Sequence, residues 1–66
     1  MTVEFLNPTQ YANIYGVYDG TGKPVGTVEL TIAGRDAGMI TCYTLSGRHT
    51  RRDIRKAWNE YRKHNL

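Results

Sequence analysis

The sequence predicts an α+β domain in which a three-stranded, or with an N-terminal strand four-stranded, antiparallel β-meander packs against one C-terminal amphipathic helix, in the order β-β-β-α. Three observations predict this fold. Residues 11–45 contain segments rich in β-branched and aromatic residues, short glycine-containing turns separate those segments, and the apolar residues after residue 50 repeat with a helical period. Because short connections join antiparallel neighbours, the strands should lie side by side in chain order.

The first ten residues predict a short edge strand followed by a turn. Val3 and Phe5 alternate with Glu4, which suits a strand over residues 2–6. The segment Asn7-Pro8-Thr9-Gln10 also fits a helix start, with asparagine as the cap and proline in the first turn. We expect a turn at residues 7–10, because the residues that follow it are strand formers.

Three further strands are predicted at residues 11–18, 25–33 and 39–45. Turns at residues 19–24 and 34–38 separate them, and each contains two glycines. The strand at residues 25–33 alternates strictly, which is typical of a sheet with one buried and one solvated face. Its residues should divide into a core-facing set (Val28, Leu30, Ile32) and a solvent-facing set (Thr27, Glu29, Thr31).

The helix has both a start signal and a buried face. Thr50 is a favourable N-cap, and Asp53 three residues later completes a motif that resembles a capping box. Four apolar residues then share one helical face: Ile54, Ala57, Trp58 and Tyr61. We expect Trp58 to supply a large part of the core by packing on the core-facing residues of the 25–33 strand.

Length and cysteine content limit the class of protein. Sixty-six residues are enough for one small domain over residues 1–66, with a thin core and two open sheet edges that would allow a homodimer. Cys42 is the only cysteine, so no internal disulfide forms, and a reducing, cytoplasmic location is expected. The sequence contains no secretory signal, no membrane-spanning apolar run and no spacing typical of a metal or cofactor site.

No pattern of residues indicates an enzyme. Asp53 and Glu60 are spaced to form helix ion pairs with Lys56 and His64, not to act as a catalytic acid and base. Cys42 lies within a predicted strand, where a buried and unreactive thiol is expected. We therefore expect a protein that acts by binding.

Charge is distributed unevenly along the chain. Within the overall net charge of +3, residues 1–46 carry a net charge of about −2 and residues 47–66 about +5. The cationic segment coincides with the predicted helix and the loop before it. A polyanion or an acidic protein surface is the partner that such a segment would attract, although basic helices also serve solubility alone.

The candidate binding residues are the basic side chains of this segment, which lie outside the predicted apolar face. They are Arg48, Arg51, Arg52, Arg55, Lys56, Arg62 and Lys63. Arginine suits bidentate contacts to phosphate and guanine, so nucleic acid, with DNA favoured, is the predicted partner of a small regulatory protein. The alternative is a phage or mobile-element protein that inhibits a host protein or defence complex through the same basic surface.

The loop before the helix is a second candidate for phosphate binding. Arg48, Arg51 and Arg52 would lie near the helix N-terminus, where free N–H groups and the helix dipole attract anions. The competing interpretation is that Thr50 and Asp53 already satisfy those N–H groups, and that the Asp53 carboxylate repels an anion.

Two segments carry a resemblance to a known family: the hairpin IYGVYDGTGKPVGTV and the downstream TRRDIRKAWNEY. With the order of strands followed by a basic-flanked helix, they are similar to the N-terminal arm-binding domains of phage and transposon tyrosine integrases. The resemblance implies a mobile-element origin and a sheet face that docks in the DNA major groove. In this chain that face would carry Thr27, Glu29 and Thr31.

Overall fold

The computed structural model of the chain describes residues 1–45 and 47–65, which form one antiparallel sheet and one helix. The strands follow the order β1 (Thr2–Pro8), β2 (Ala12–Tyr18), β3 (Pro24–Thr31) and β4 (Ile40–Thr44), and the helix α1 spans Arg51–Asn65. The helix packs on one face of the sheet and contacts β1, β3 and β4. The predicted fold class is confirmed in its four-stranded form.

The N-terminal strand is longer than the sequence predicts. β1 continues through Asn7 to Pro8, with an irregularity in its register between Phe5 and Asn7. The expected turn at residues 7–10 therefore begins later than predicted, and the alternative of a helix start at this point is wrong. Proline is tolerated here because β1 is an edge strand. The turn is confined to the residues after Pro8, where the Thr9 hydroxyl accepts a hydrogen bond from the Ala12 N–H at 2.9 Å.

Alternation in β3 correctly predicts two of its three core-facing residues. Val28 is fully buried, and Leu30 packs against the core cluster. The placement of Ile32 in the core is wrong, since the strand ends at Thr31 and the Ile32 side chain is 46% exposed. Its N–H donates to the Tyr11 carbonyl at 2.7 Å, at an end of the sheet that lies outside the core cluster.

The core joins the helix to the centre of the sheet. Its buried members are Tyr15, Val17, Val25, Val28, Cys42, Ile54 and Trp58. The ring of Tyr15 contacts Trp58 edge to face, with centroids 4.7 Å apart, and a second contact joins it to Tyr61 at 5.7 Å. This aromatic cluster joins the helix to β2.

Gly26 allows the helix to approach β3 closely. A Cβ atom at this position would lie 2.5 Å from Cδ1 of Ile54 and 2.6 Å from the carbonyl oxygen of Tyr43. A Cβ atom does not come this close to a non-bonded atom, and one of the two neighbours is a backbone atom. A side chain at residue 26 would therefore force the helix or β4 to move.

Candidate nucleic-acid interface

The N-terminus of α1 is closed by a reciprocal capping box. The Thr50 N–H donates to Oδ2 of Asp53 at 2.9 Å, and the Asp53 N–H donates to the Thr50 hydroxyl at 3.3 Å. The bond from the Thr50 N–H lowers the pKa of Asp53 below its usual range. Because a carboxylate already occupies this position, a phosphate placed at the N–H groups of the first turn would meet a negative charge.

Arg48 borders a cleft that the basic residues of the helix do not line. Together with His49 it lines a cleft of about 270 Å³ beside the β2–β3 loop, where Asp19 and Lys23 form the opposite wall. Arg48 therefore borders a different cleft from the other six predicted binding residues, although it is close to them in sequence.

Arg51 and Arg55 lie along the flank of α1 that faces β4. With Arg52 they line a cleft of about 400 Å³ whose other wall is formed by Ile40, Thr41 and Cys42. Burial raises the pKa of the Cys42 thiol, while the positive charges of Arg55 and Arg51 act in the opposite direction. The thiol thus lies beside the cleft as a largely uncharged group.

The solvent side of α1 carries the remaining basic residues. A shallow hollow of about 580 Å³ is bordered by Arg52, Arg55, Lys56, Arg62 and Lys63, together with Asn59 and Glu60. All six predicted binding residues within the helix are exposed. They form one continuous basic surface, hereafter the helix surface, from the β4 flank to the outer side of α1.

Few of these charges are neutralised within the protein. Among residues 1–45 and 47–65, the ion pairs join His49 to Asp53 at 4.0 Å and Lys63 to Glu60 at 3.7 Å. The expected pairs of Asp53 with Lys56 and of Glu60 with His64 are not within ion-pairing distance in the described residues, although the charge of Lys56 contributes to the lowered pKa of Asp53. Within those ranges, no carboxylate lies at ion-pairing distance from five members of the helix surface: Arg51, Arg52, Arg55, Lys56 and Arg62.

The acidic residues of the sheet lie on its opposite face. Glu4 pairs in register with Gly16, and Glu29 pairs with Ile14 and Thr41, which places both on the face that α1 does not cover. The Tyr43 hydroxyl donates to Glu29 at 3.2 Å, and this bond raises the pKa of Tyr43. The four strands contain no lysine or arginine.

The uncovered sheet face is therefore unsuited to phosphate. It includes Thr27, Glu29 and Thr31, the residues that the integrase resemblance would place in the major groove. Glu29 and Glu4 would face the DNA there without a cation on any strand to offset their charge. The positive potential of the molecule lies on the side of the helix.

Comparisons with protein-family models, with curated proteins and with solved structures found no match to this chain. In the described ranges, no helix has the length and apolar character to cross a membrane. The same ranges contain no group of three or more histidine, cysteine, aspartate or glutamate residues arranged to hold a metal ion.

Proposed function

We propose that this protein is a non-enzymatic regulator that binds nucleic acid, with duplex DNA preferred, through the helix surface. The observation that supports this most directly is the set of five exposed cations without a carboxylate partner in the described chain. Unpaired arginines are the groups that gain most from phosphate, because they bind it in a bidentate manner.

The dimensions of α1 suit a DNA groove. The cations between Arg51 and Lys63 extend over about 18 Å, at roughly 1.5 Å per residue. The major groove is about 12 Å wide and admits an α-helix, and duplex DNA carries one phosphate charge per roughly 1.7 Å of axis. Several phosphates on either side of the groove are therefore within reach of the long basic side chains.

Charge separation across the molecule supports one orientation of binding. The helix surface is cationic, whereas Glu4 and Glu29 occupy the opposite face of the sheet. A polyanion would attract the first and repel the second, which directs the encounter towards α1. Each of the two loops that flank β3 carries one acidic and one basic residue, so neither loop changes the net charge. These pairs are Asp19 with Lys23 and Arg35 with Asp36.

The test is a titration of a fluorescently labelled DNA duplex of about two helical turns at several salt concentrations. We expect affinity to fall steeply with salt, because each neutralised phosphate releases counterions. The double substitution Arg52→Gln/Lys56→Gln should reduce the slope of log K against log salt by about one unit for each phosphate that is no longer neutralised.

A matched control separates a defined interface from general attraction. Lys23→Gln/Arg35→Gln removes the same two units of charge from loops outside α1. It should leave affinity and slope close to those of the wild type. An equal loss of affinity in both variants, or no binding of the wild type at low salt, would overturn the proposal.

The alternative target, an acidic surface on a host protein, gives a different result in a pull-down from lysate. Nuclease treatment should release all partners of a nucleic-acid binder. A stoichiometric protein that remains bound after nuclease, and that no longer binds Arg52→Gln/Lys56→Gln, would favour the protein target.

A further inference from the structure

β4 lies at the edge of the sheet and leaves half of its backbone groups directed outward. The Thr31 N–H donates to the Met39 carbonyl at 2.9 Å, and the Leu45 N–H donates to the Val25 carbonyl at 3.0 Å. Since hydrogen-bonded pairs alternate along an antiparallel ladder, the odd-numbered residues of β4 bond to β3. The even-numbered residues, Ile40, Cys42 and Thr44, therefore direct their N–H and C=O groups away from the sheet.

The two edges of the sheet differ in how well they are protected. β1 contains Pro8 and an irregular register between Phe5 and Asn7, two features that discourage the addition of another strand. β4 has the sequence ITCYT and pairs with β3 in an unbroken register. It contains no proline or lysine, and its residues are good strand formers.

Positively charged side chains of α1 border the β4 edge. Ile40, Cys42 and Thr44 share the sheet face of Leu30, Val28 and Gly26, which is the face that α1 covers. Arg51 and Arg55 border the cleft above this edge, and neither has a carboxylate at ion-pairing distance in the described chain. A strand added beside β4 would therefore place every second side chain next to two guanidinium groups.

We propose that the open edge of β4 is a docking site for an extended acidic segment of a partner protein, which adds as a fifth, antiparallel strand. Backbone hydrogen bonds to Ile40, Cys42 and Thr44 would provide affinity. Carboxylates at alternate positions of the segment would pair with Arg51 and Arg55 and provide specificity. This site shares Arg51 and Arg55 with the helix surface but takes a different ligand, and it does not depend on DNA binding.

The charge of the edge favours an acidic segment over a second copy of the chain. Pairing two β4 strands about a two-fold axis would bring the Arg51 and Arg55 of both copies to the same junction. Like charges in this position are unfavourable. An acidic segment has the opposite charge and needs only the backbone groups that β4 already presents.

The probe is a labelled, end-capped octapeptide of alternating threonine and glutamate, measured by fluorescence anisotropy. Directly opposed residues of an antiparallel pair share a face, and the β4 residues with outward N–H and C=O groups face α1. Glutamates opposite these residues therefore face α1 and also bond to β4 through their own N–H groups. Methylation of the glutamate N–H groups should weaken binding at least about tenfold. Methylation of the threonine N–H groups, which point outward, should leave binding unchanged. A block peptide of four threonines and four glutamates should bind more weakly.

Two variants test the protein side. Thr44→Pro removes an outward N–H at an exposed position of an edge strand, where proline is tolerated. It should weaken peptide binding, whereas Thr44→Val, which keeps the N–H, should not. Arg51→Glu/Arg55→Glu should abolish binding of the alternating peptide. Circular dichroism melts of each variant establish that the weaker binding does not come from unfolding.

The outcomes separate this site from the helix surface. Thr44→Pro should leave DNA affinity unchanged, and Lys56→Gln/Lys63→Gln should weaken DNA binding but not peptide binding. Equal binding of the two methylated peptides, weakening confined to the threonine-methylated one, or no binding of the unmodified peptide at millimolar concentration would each overturn the strand-addition site. None of these results would affect the DNA proposal.

Discussion

The inner and outer faces of α1 belong to the same 15-residue helix but differ in burial and in charge. Ile54 and Trp58 on the inner face are 0% and 1% exposed, whereas Arg52, Lys56 and Lys63 on the outer face are exposed to solvent. Rotation about the helix axis separates the two sets. Substitutions only one turn apart should therefore perturb folding and the proposed DNA binding independently.

The largest effect on stability is expected from Trp58→Ala. Truncating a buried aromatic residue costs about 3–5 kcal/mol, which is comparable with the whole stability of a domain this small. The variant should show no cooperative thermal transition by circular dichroism. A cooperative melt near that of the wild type would contradict the inner-face assignment.

Trp58→Phe is the control for this substitution. It keeps a ring against Tyr15 and removes an indole Nε1 that is buried without a hydrogen-bond partner in the described chain. Removing an unsatisfied donor stabilises the folded state and offsets part of the free energy lost with the smaller ring. The melting temperature should therefore fall much less than in the alanine variant.

Gly26→Ala should have the next largest effect, because it tests the close contact between the inner face and β3. The new methyl group would lie 2.5 Å from Cδ1 of Ile54 and 2.6 Å from a backbone oxygen, and overpacking of this kind costs about 1–3 kcal/mol. Gly20→Ala is the matched control, since its Cβ would meet no atom within 4 Å. Urea denaturation of the two variants should differ clearly, and equal midpoints would contradict the contact.

The helix cap formed by Thr50 and Asp53 should make the stability of the protein depend on pH. The folded pKa of Asp53 is lowered from 3.8, so its carboxylate contributes stability above that value, which is lost as pH falls through the folded pKa. Asp53→Asn should flatten part of the decline in stability below about pH 4. Asp19 also has a lowered pKa, through its hydrogen bond to Thr21, so some decline should remain.

The decline in stability that remains in Asp53→Asn should come from Asp19, which provides a check on how the acid dependence is divided. Asp19→Asn should remove a separate part of the acid dependence, and the double variant should be flattest. Thermal melts between about pH 2 and pH 7 measure both effects. An Asp53→Asn profile parallel to that of the wild type would mean that the cap contributes nothing through its charge.

The smallest effect on stability is expected on the outer face. Arg52→Gln/Lys56→Gln should leave the free energy of unfolding within about 0.5 kcal/mol, because exposed substitutions rarely do more. The same variant should bind DNA more weakly. A large fall in stability would show that these side chains support the fold, and unchanged affinity would limit them to a solubilising role.

Much of the helix was predictable from the sequence. Thr50 and Asp53 identify its start, and the spacing of Ile54, Ala57, Trp58 and Tyr61 identifies its inner face, because capping and periodicity depend on residues close in the chain. The prediction for Ile32 was wrong because alternation continues past the point where the strand ends. The prediction that Arg48 belongs with the helix cations stays untested by binding, but the structure places it at another cleft.

Neighbouring residues along the chain are enough to set the strand segments, the capped helix and the rows of charge along it. Three other relations emerge only in the folded molecule: Tyr15 packs on Trp58, β4 is an open edge beside Arg51 and Arg55, and the strand glutamates face away from the helix. These relations depend on strand order, register and the side on which the helix crosses the sheet. Residues far apart in the chain determine them jointly, so no local window contains the information.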